Sequence, residues 1–154
     1  AHFLVVGALT FEDPAYAEDL HALTRELDLE DRVTYLGFRQ DIADLMAASD
    51  IIVHASILPE PLGLTPMEAQ AAGKPVVAVG AGGVLETVVD GETGLLVPAR
   101  DAGAMADALL DLLRRPDRQR RMGEAGRARA ETLFDLNVSA RRVQDVYKSL
   151  LEAT

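Results

Sequence analysis

Short apolar runs alternate along this chain with longer stretches of helical period, and that alternation leaves little choice of fold class. Residues 3–6, 33–36, 51–54, 76–79 and 95–97 have the length and β-branched content of buried strands. Between them Tyr16, Leu20, Leu23 and Leu27 recur at helical spacing, as do Ile42, Leu45 and Met46. Met105, Ala108, Leu109 and Leu112 line one face of a helix after Asp101, and Val143, Val146, Tyr147, Leu150 and Leu151 do so near the end. Parallel strands need right-handed crossovers and are covered on both faces. The expectation is therefore an α/β fold: one Rossmann-like domain over residues 1–154, a parallel sheet with helices on both faces. No linker, repeat or low-complexity tract interrupts it.

At 154 residues and 49% apolar content the chain has enough core for one ordinary domain. With no cysteine there is no disulfide framework, thiolate nucleophile or Cys-ligated zinc, and three scattered histidines give no metal site. A net charge of −10 repels nucleic acid and anionic membranes. Seven arginines between Arg114 and Arg129 run against that balance, but no aromatic residue interleaves for base stacking. They are expected to form a solvated helix face with pairs such as Arg120 and Glu124. No apolar run is long enough to span a bilayer, and the chain opens without a basic leader, so a cytoplasmic setting is expected, with peripheral membrane attachment of the full-length protein as an alternative. The opening lacks Met and enters a strand directly, which suggests a piece of a longer protein.

Function concentrates in Glu60-Pro61-Leu62-Gly63-Leu64-Thr65-Pro66-Met67-Glu68, where two carboxylates flank a glycine turn and a helix start. Hydroxyls need acceptors, while a diphosphate needs backbone N–H groups and a helix N-terminus. The combination suits a phosphorylated sugar or a nucleotide. Thr65 is expected at N-cap with Pro66 at the first helical position, so Glu68 fits a capping box, whereas Glu60 supports no obvious element. Ligands of such sheets bind beyond the carboxyl ends of the strands. That rule brings in Gly37, Phe38 and Arg39, then His54, then Gly82 and Gly83. It sets aside Lys74, which precedes a strand and lies at the wrong edge. His54 fits either a contact to a sugar or its phosphate or an idle histidine at a strand end. Glu86 fits either a sugar hydroxyl or the first turn of its own helix. Asp13, Asp41 and Asp101 read as helix caps.

Taken in order, Glu60 to Ala78, then Gly82-Gly83-Val84-Leu85-Glu86, then Asp90 to Pro98, the sequence resembles the C-terminal domain of glycosyltransferase family 4. Val33 to Arg39, Asp50 to Ser56 and the Arg-rich segment ending near Phe134 extend the likeness over essentially the whole chain. The resemblance implies half of a GT-B fold and a retaining transferase that moves a hexosyl group from a nucleotide-diphosphate sugar to an acceptor hydroxyl. It implies Glu60 near the donor sugar and Glu68 on the ribose. Gly63, Leu64 and Thr65 would hold the diphosphate, and Gly37, Phe38 and Arg39 would border the base. It also implies a UDP-, GDP- or ADP-sugar as donor and no metal or other cofactor. The acceptor, whether sugar, lipid or small molecule, would be read by an N-terminal domain absent here. Two departures stand out. Leu62 replaces a common Phe, and the basic residues that usually neutralise the diphosphate upstream of the first strand have no match. The chain alone is accordingly expected to transfer no sugar.

Two other classes compete. Gly80, Gly82 and Gly83 follow a strand as in an NAD-dependent oxidoreductase, but Leu85 stands where the dinucleotide fingerprint needs a third glycine. A non-catalytic nucleotide-binding or assembly module is the remaining alternative.

Overall fold

A computed structural model describes residues 1–7 and 14–152. The chain separates into two compact units, Ala1–Ile42 and Ala43–Thr154. The α/β class with parallel strands holds, and the pairing runs in two ladders, one in each unit.

In the first unit β1 (Phe3–Val6) pairs in parallel with β2 (Val33–Gly37), joined through α1 (Pro14–Glu26). Tyr35 of β2 fastens the helix: its hydroxyl donates to Leu20 O at 3.2 Å and lies 2.7 Å from Thr24 Oγ1, and its ring packs at a tilt of 51° against that of His21. All four β1 residues remain exposed.

In the second unit β3 (Ile52–His54), β4 (Val76–Val79) and β5 (Gly94–Val97) pair in sequence order, all parallel. Strand β4 lies in the middle and all four of its residues are buried, as expected for a strand covered on both faces. Alternation along β4 sends Val77 and Val79 to one face, where they meet Val97, Leu112 and Met122 in the core. The stripe of α5 (Ala102–Leu113) accounts for part of this core, Leu112 being buried in it with Met105, Ala108 and Leu109 packed alongside; α2 (Ile42–Ala48) buries Met46, and α7 (Leu136–Glu152) carries the terminal stripe but buries no residue. Asp101 caps α5 by accepting from Ala104 N–H at 2.8 Å.

The Arg-rich segment is α6 (Pro116–Leu133), and its packing face is built from small residues. Met122, Gly123, Gly126 and Ala130 are buried, and Gly123 approaches the backbone of Gly73 so closely that a Cβ would stand 3.0 Å from Gly73 C. The arginines point away from that stripe or tie off carbonyls. Arg115 and Arg118 pair with Asp111, Arg120 with Asp117 and Glu124, and Arg127 with Glu131. Arg129 donates to Glu86 O and Thr87 O, the end of the short helix α4 (Val84–Thr87). The solvated-face reading of this segment therefore describes most of its charge.

Asp41 departs from its expected role. It precedes α2, but its carboxylate accepts two bonds from Arg39, at 2.8 and 2.5 Å, and caps nothing. A guanidinium two residues away offers a charged, bidentate partner, which is stronger than a neutral N–H at a helix start. Asp13 lies outside the described residues. Lys74 donates to Ala47 O at 2.7 Å and so closes the C-terminal turn of α2, a use that agrees with its place at the far edge.

Candidate functional site

The carboxyl ends of β3 and β4 position the site in the second unit. Strand β3 ends on His54, and the loop 55–63 then leads to α3 (Leu64–Ala71). Glu60 sits in this loop. Its Oε1 lies 3.0 Å from His54 Nε2, with the imidazole only 10% exposed and the Glu60 side chain 36% exposed. Glu60 is thus not without a structural partner, contrary to the reading from sequence. The carboxylate is drawn against a strand end, which no spacing rule reveals.

The glycine pair after β4 fixes the same loop from behind. Gly83 N–H donates to Glu60 O at 2.7 Å. A Cβ on Gly82 would stand 2.9 Å from Glu60 N, and one on Gly83 would stand 2.6 Å from Leu62 Cα. Backbone meets backbone here, so only glycine fits, and Gly82 also takes φ 56. The close approach these glycines permit is that of residues 60–62. The N–H groups that open α4 are already bonded, Val84 to Ala81 O and Leu85 to Gly82 O.

The start of α3 corrects the expected capping box. The helix begins at Leu64, its N-cap is Gly63 at φ 70, and no side chain caps it. Thr65 is inside the first turn, and Glu68 lies one residue beyond that turn, too far along to reach back as a capping box requires. Gly63 replaces Thr65 because the turn must pass against Val84 Cγ2, which a Cβ at 63 would meet at 3.3 Å. Glu68 is exposed, and its carboxylate has no hydrogen-bond or ion-pair partner among the described residues. The N–H groups of Leu64 and Thr65 make no hydrogen bond among the described residues, so two donors lie at the positive end of the helix that follows the Glu60 loop.

The second unit therefore brings together His54, Glu60, Gly82 and Gly83, and continues directly into Gly63, Leu64, Thr65 and Glu68 on α3. Gly37, Phe38 and Arg39 lie in the first unit at the carboxyl end of β2, with Phe38 exposed and Arg39 bound to Asp41. Arg39 stays firmly protonated beside Asp41, and the Asp41 carboxyl is held below its ordinary value chiefly by the bond from Arg39. Glu86 is exposed in the first turn of α4 and gives its carbonyl to Arg129. A separate cavity of about 320 Å³ is lined by Gly91, Glu92, Arg118, Arg121, Met122 and Ala125, from the segment before β5 and from α6. It is remote in sequence and topology from the carboxyl-end loops. Among the described residues no cluster of three acidic or imidazole side chains is arranged to hold a metal ion, and no helix is long and apolar enough to cross a membrane.

Comparison with known families decides the assignment: the family described as Glycosyl transferases group 1 matches residues 1–129. The chain belongs to the group 1 glycosyltransferases. A D-inositol 3-phosphate glycosyltransferase of Corynebacterium aurimucosum is 41% identical over 129 residues, 82% of this chain and 30% of that relative. Among solved structures, Anabaena Alr3699/HepE in complex with UDP aligns with a TM-score of 0.92 and 34% identity over 95% of this chain and 40% of its own. The same protein in complex with UDP-glucose aligns at 0.90. This group 1 chain thus has the α/β fold of one half of a GT-B glycosyltransferase, and it spans well under half the length of these relatives.

Proposed function

We propose that this group 1 domain binds a nucleotide-diphosphate sugar as the donor for a retaining, family 4 glycosyltransferase that moves a hexosyl group to an acceptor hydroxyl. The observation that carries the reading is the Glu60 carboxylate, held against His54, on the loop that runs directly into the uncapped N-terminus of α3. A sugar presents hydroxyl donors to the first and a diphosphate presents oxygens to the second. The complexes of Alr3699/HepE with UDP and UDP-glucose support the ligand class.

In this reading Leu64 and Thr65 N–H groups take the diphosphate, and Gly63 gives the turn that exposes them. Glu68, on α3 and with no partner for its carboxylate among the described residues, accepts from the ribose. The donor is a UDP-, GDP- or ADP-sugar, and Gly37, Phe38 and Arg39 are proposed to border its base. Glu60 orients the sugar and favours positive charge developing at its anomeric carbon as the bond to phosphate breaks. The leaving phosphate then assists removal of the acceptor proton, and the sugar keeps its configuration. The acceptor, a sugar, lipid or small molecule, binds to a second domain, and the setting is the cytoplasm or its membrane surface. This chain by itself transfers no sugar.

Titration with UDP, GDP, ADP and NAD, followed by amide chemical shifts, tests the reading. Shifts at Leu64, Thr65 and Glu68 with one of the first three are expected. Binding of NAD without response to any nucleoside diphosphate would overturn it, and silence toward all four would favour a non-catalytic module.

A further inference from the structure

His54 is the last residue of β3, and its ring is nearly buried. Its Nε2 is directed at the Glu60 carboxylate, 3.0 Å away, rather than at open solvent. An imidazole in that position has its polar edge engaged by the protein. Glu60, in contrast, stands in a loop without helix or strand and is about one-third exposed. The Gly83 bond to Glu60 O fixes its peptide. It does not fix the carboxylate, because three side-chain torsions intervene. The contact of His54 Nε2 with Oε1, at 3.0 Å, supplies the missing restraint. Glu60 Oε2 has no ion-pair or hydrogen-bond partner among the described residues, so one oxygen is held against the imidazole and the other is left for a ligand.

We infer that His54 is a positioning residue that acts on the donor sugar only through Glu60, anchoring Oε1 so that Oε2 faces a sugar hydroxyl. The inference rests on the reading of Glu60 as a donor-sugar acceptor, and it replaces direct contact between His54 and the ligand. Its physical basis is preorganisation. A carboxylate held in one rotamer loses little freedom when the sugar arrives, whereas an untethered one must be ordered by the ligand itself. The nucleotide portion does not meet Glu60 and gains nothing from the tether.

The test compares dissociation constants, by calorimetry on the full-length protein, for the pairs UDP and UDP-glucose, GDP and GDP-mannose, and ADP and ADP-glucose. The pair with the largest gain from the sugar in the wild type is the readout. His54→Leu is expected to reduce that gain about tenfold while changing bare-nucleotide affinity less than about twofold. The double variant with Glu60→Gln is expected to bind no more weakly than Glu60→Gln alone. His54→Gln keeps an N–H at about the reach of Nε2 and should retain most of the gain, while His54→Asn, one bond shorter, should lose it. The Gln and Asn comparison decides the matter should the Leu variant fail to fold.

Additive losses in the double variant would show an independent ligand contact and overturn the inference. So would equal weakening of bare nucleotide, or a Gln variant as impaired as Asn. If Glu60→Gln abolishes the gain but His54→Leu and His54→Asn do not, only the tether falls. If Glu60→Gln leaves the gain intact, or no pair shows one in the wild type, the donor-sugar reading falls with it.

Discussion

At the scale of single residues, the two glutamates of the Glu60 to Glu68 stretch part company. Glu68 is exposed on α3 with neither carboxylate oxygen bonded among the described residues, and Glu60 is tethered by His54. Glu68→Gln should therefore weaken UDP or GDP binding through the ribose, by roughly tenfold, the size of one lost hydrogen bond to a charged acceptor. Glu60→Gln should leave the bare nucleotide unaffected and impair the sugar-bearing donor. Calorimetric titration of both variants checks this, and equal effects on both ligands would contradict the division of roles. Arg39 and Asp41 give a pH prediction. The folded Asp41 carboxyl lies below its ordinary value of 3.8, so the contribution of the pair is present above that value and disappears as pH falls through the lowered one. Carboxyl NMR should find the Asp41 midpoint below 3.8 in the wild type and closer to it in Arg39→Met. The pair is at the surface, so its effect on global stability is small.

At the scale of elements, glycine contacts decide how closely loops and helices approach. Gly83→Ala would drive a Cβ into Leu62, whose Cα and N would stand 2.6 and 2.7 Å away, with no flexible side-chain end to yield. The expected loss is about 1–3 kcal/mol, read as a lowered thermal midpoint, together with weaker donor binding as the Glu60 loop shifts. Gly123→Ala should cost a similar amount through the contact of α6 with Gly73, but without an effect on donor binding. Comparing melting and binding for the two variants separates packing from function. Strand positions and the α7 stripe were legible because hydrophobic period is a local property. The start of α3 was not. Thr65-Pro66 carries the local preferences of a cap and first turn, yet Gly63 takes the cap because residues of α4 press on the turn. The Arg-rich helix was legible in its i,i+4 pairs, Arg120 to Glu124 and Arg127 to Glu131, but not in its use of Arg129 to close α4.

At the scale of the whole molecule, the chain is a group 1 glycosyltransferase domain that spans 30% of one relative and 40% of another. Its last helix, α7, has no buried residue, and Val143, Val146, Tyr147, Leu150 and Leu151 are 55–79% exposed. The 154-residue chain is expected to show nucleotide-dependent amide shifts but no glycosyl transfer to any acceptor in a radiolabelled-donor assay. Robust transfer would overturn that expectation. The sequence by itself determined the α/β class and the order of strands and helices, because period and turn residues act over neighbouring positions. Only the tertiary structure decided that Gly82 and Gly83 clamp the backbone of Glu60 to Leu62, and that His54 holds the Glu60 carboxylate. Those are contacts across a sheet edge, set by how strands and loops come together in space, and no spacing along the chain encodes the distance between them.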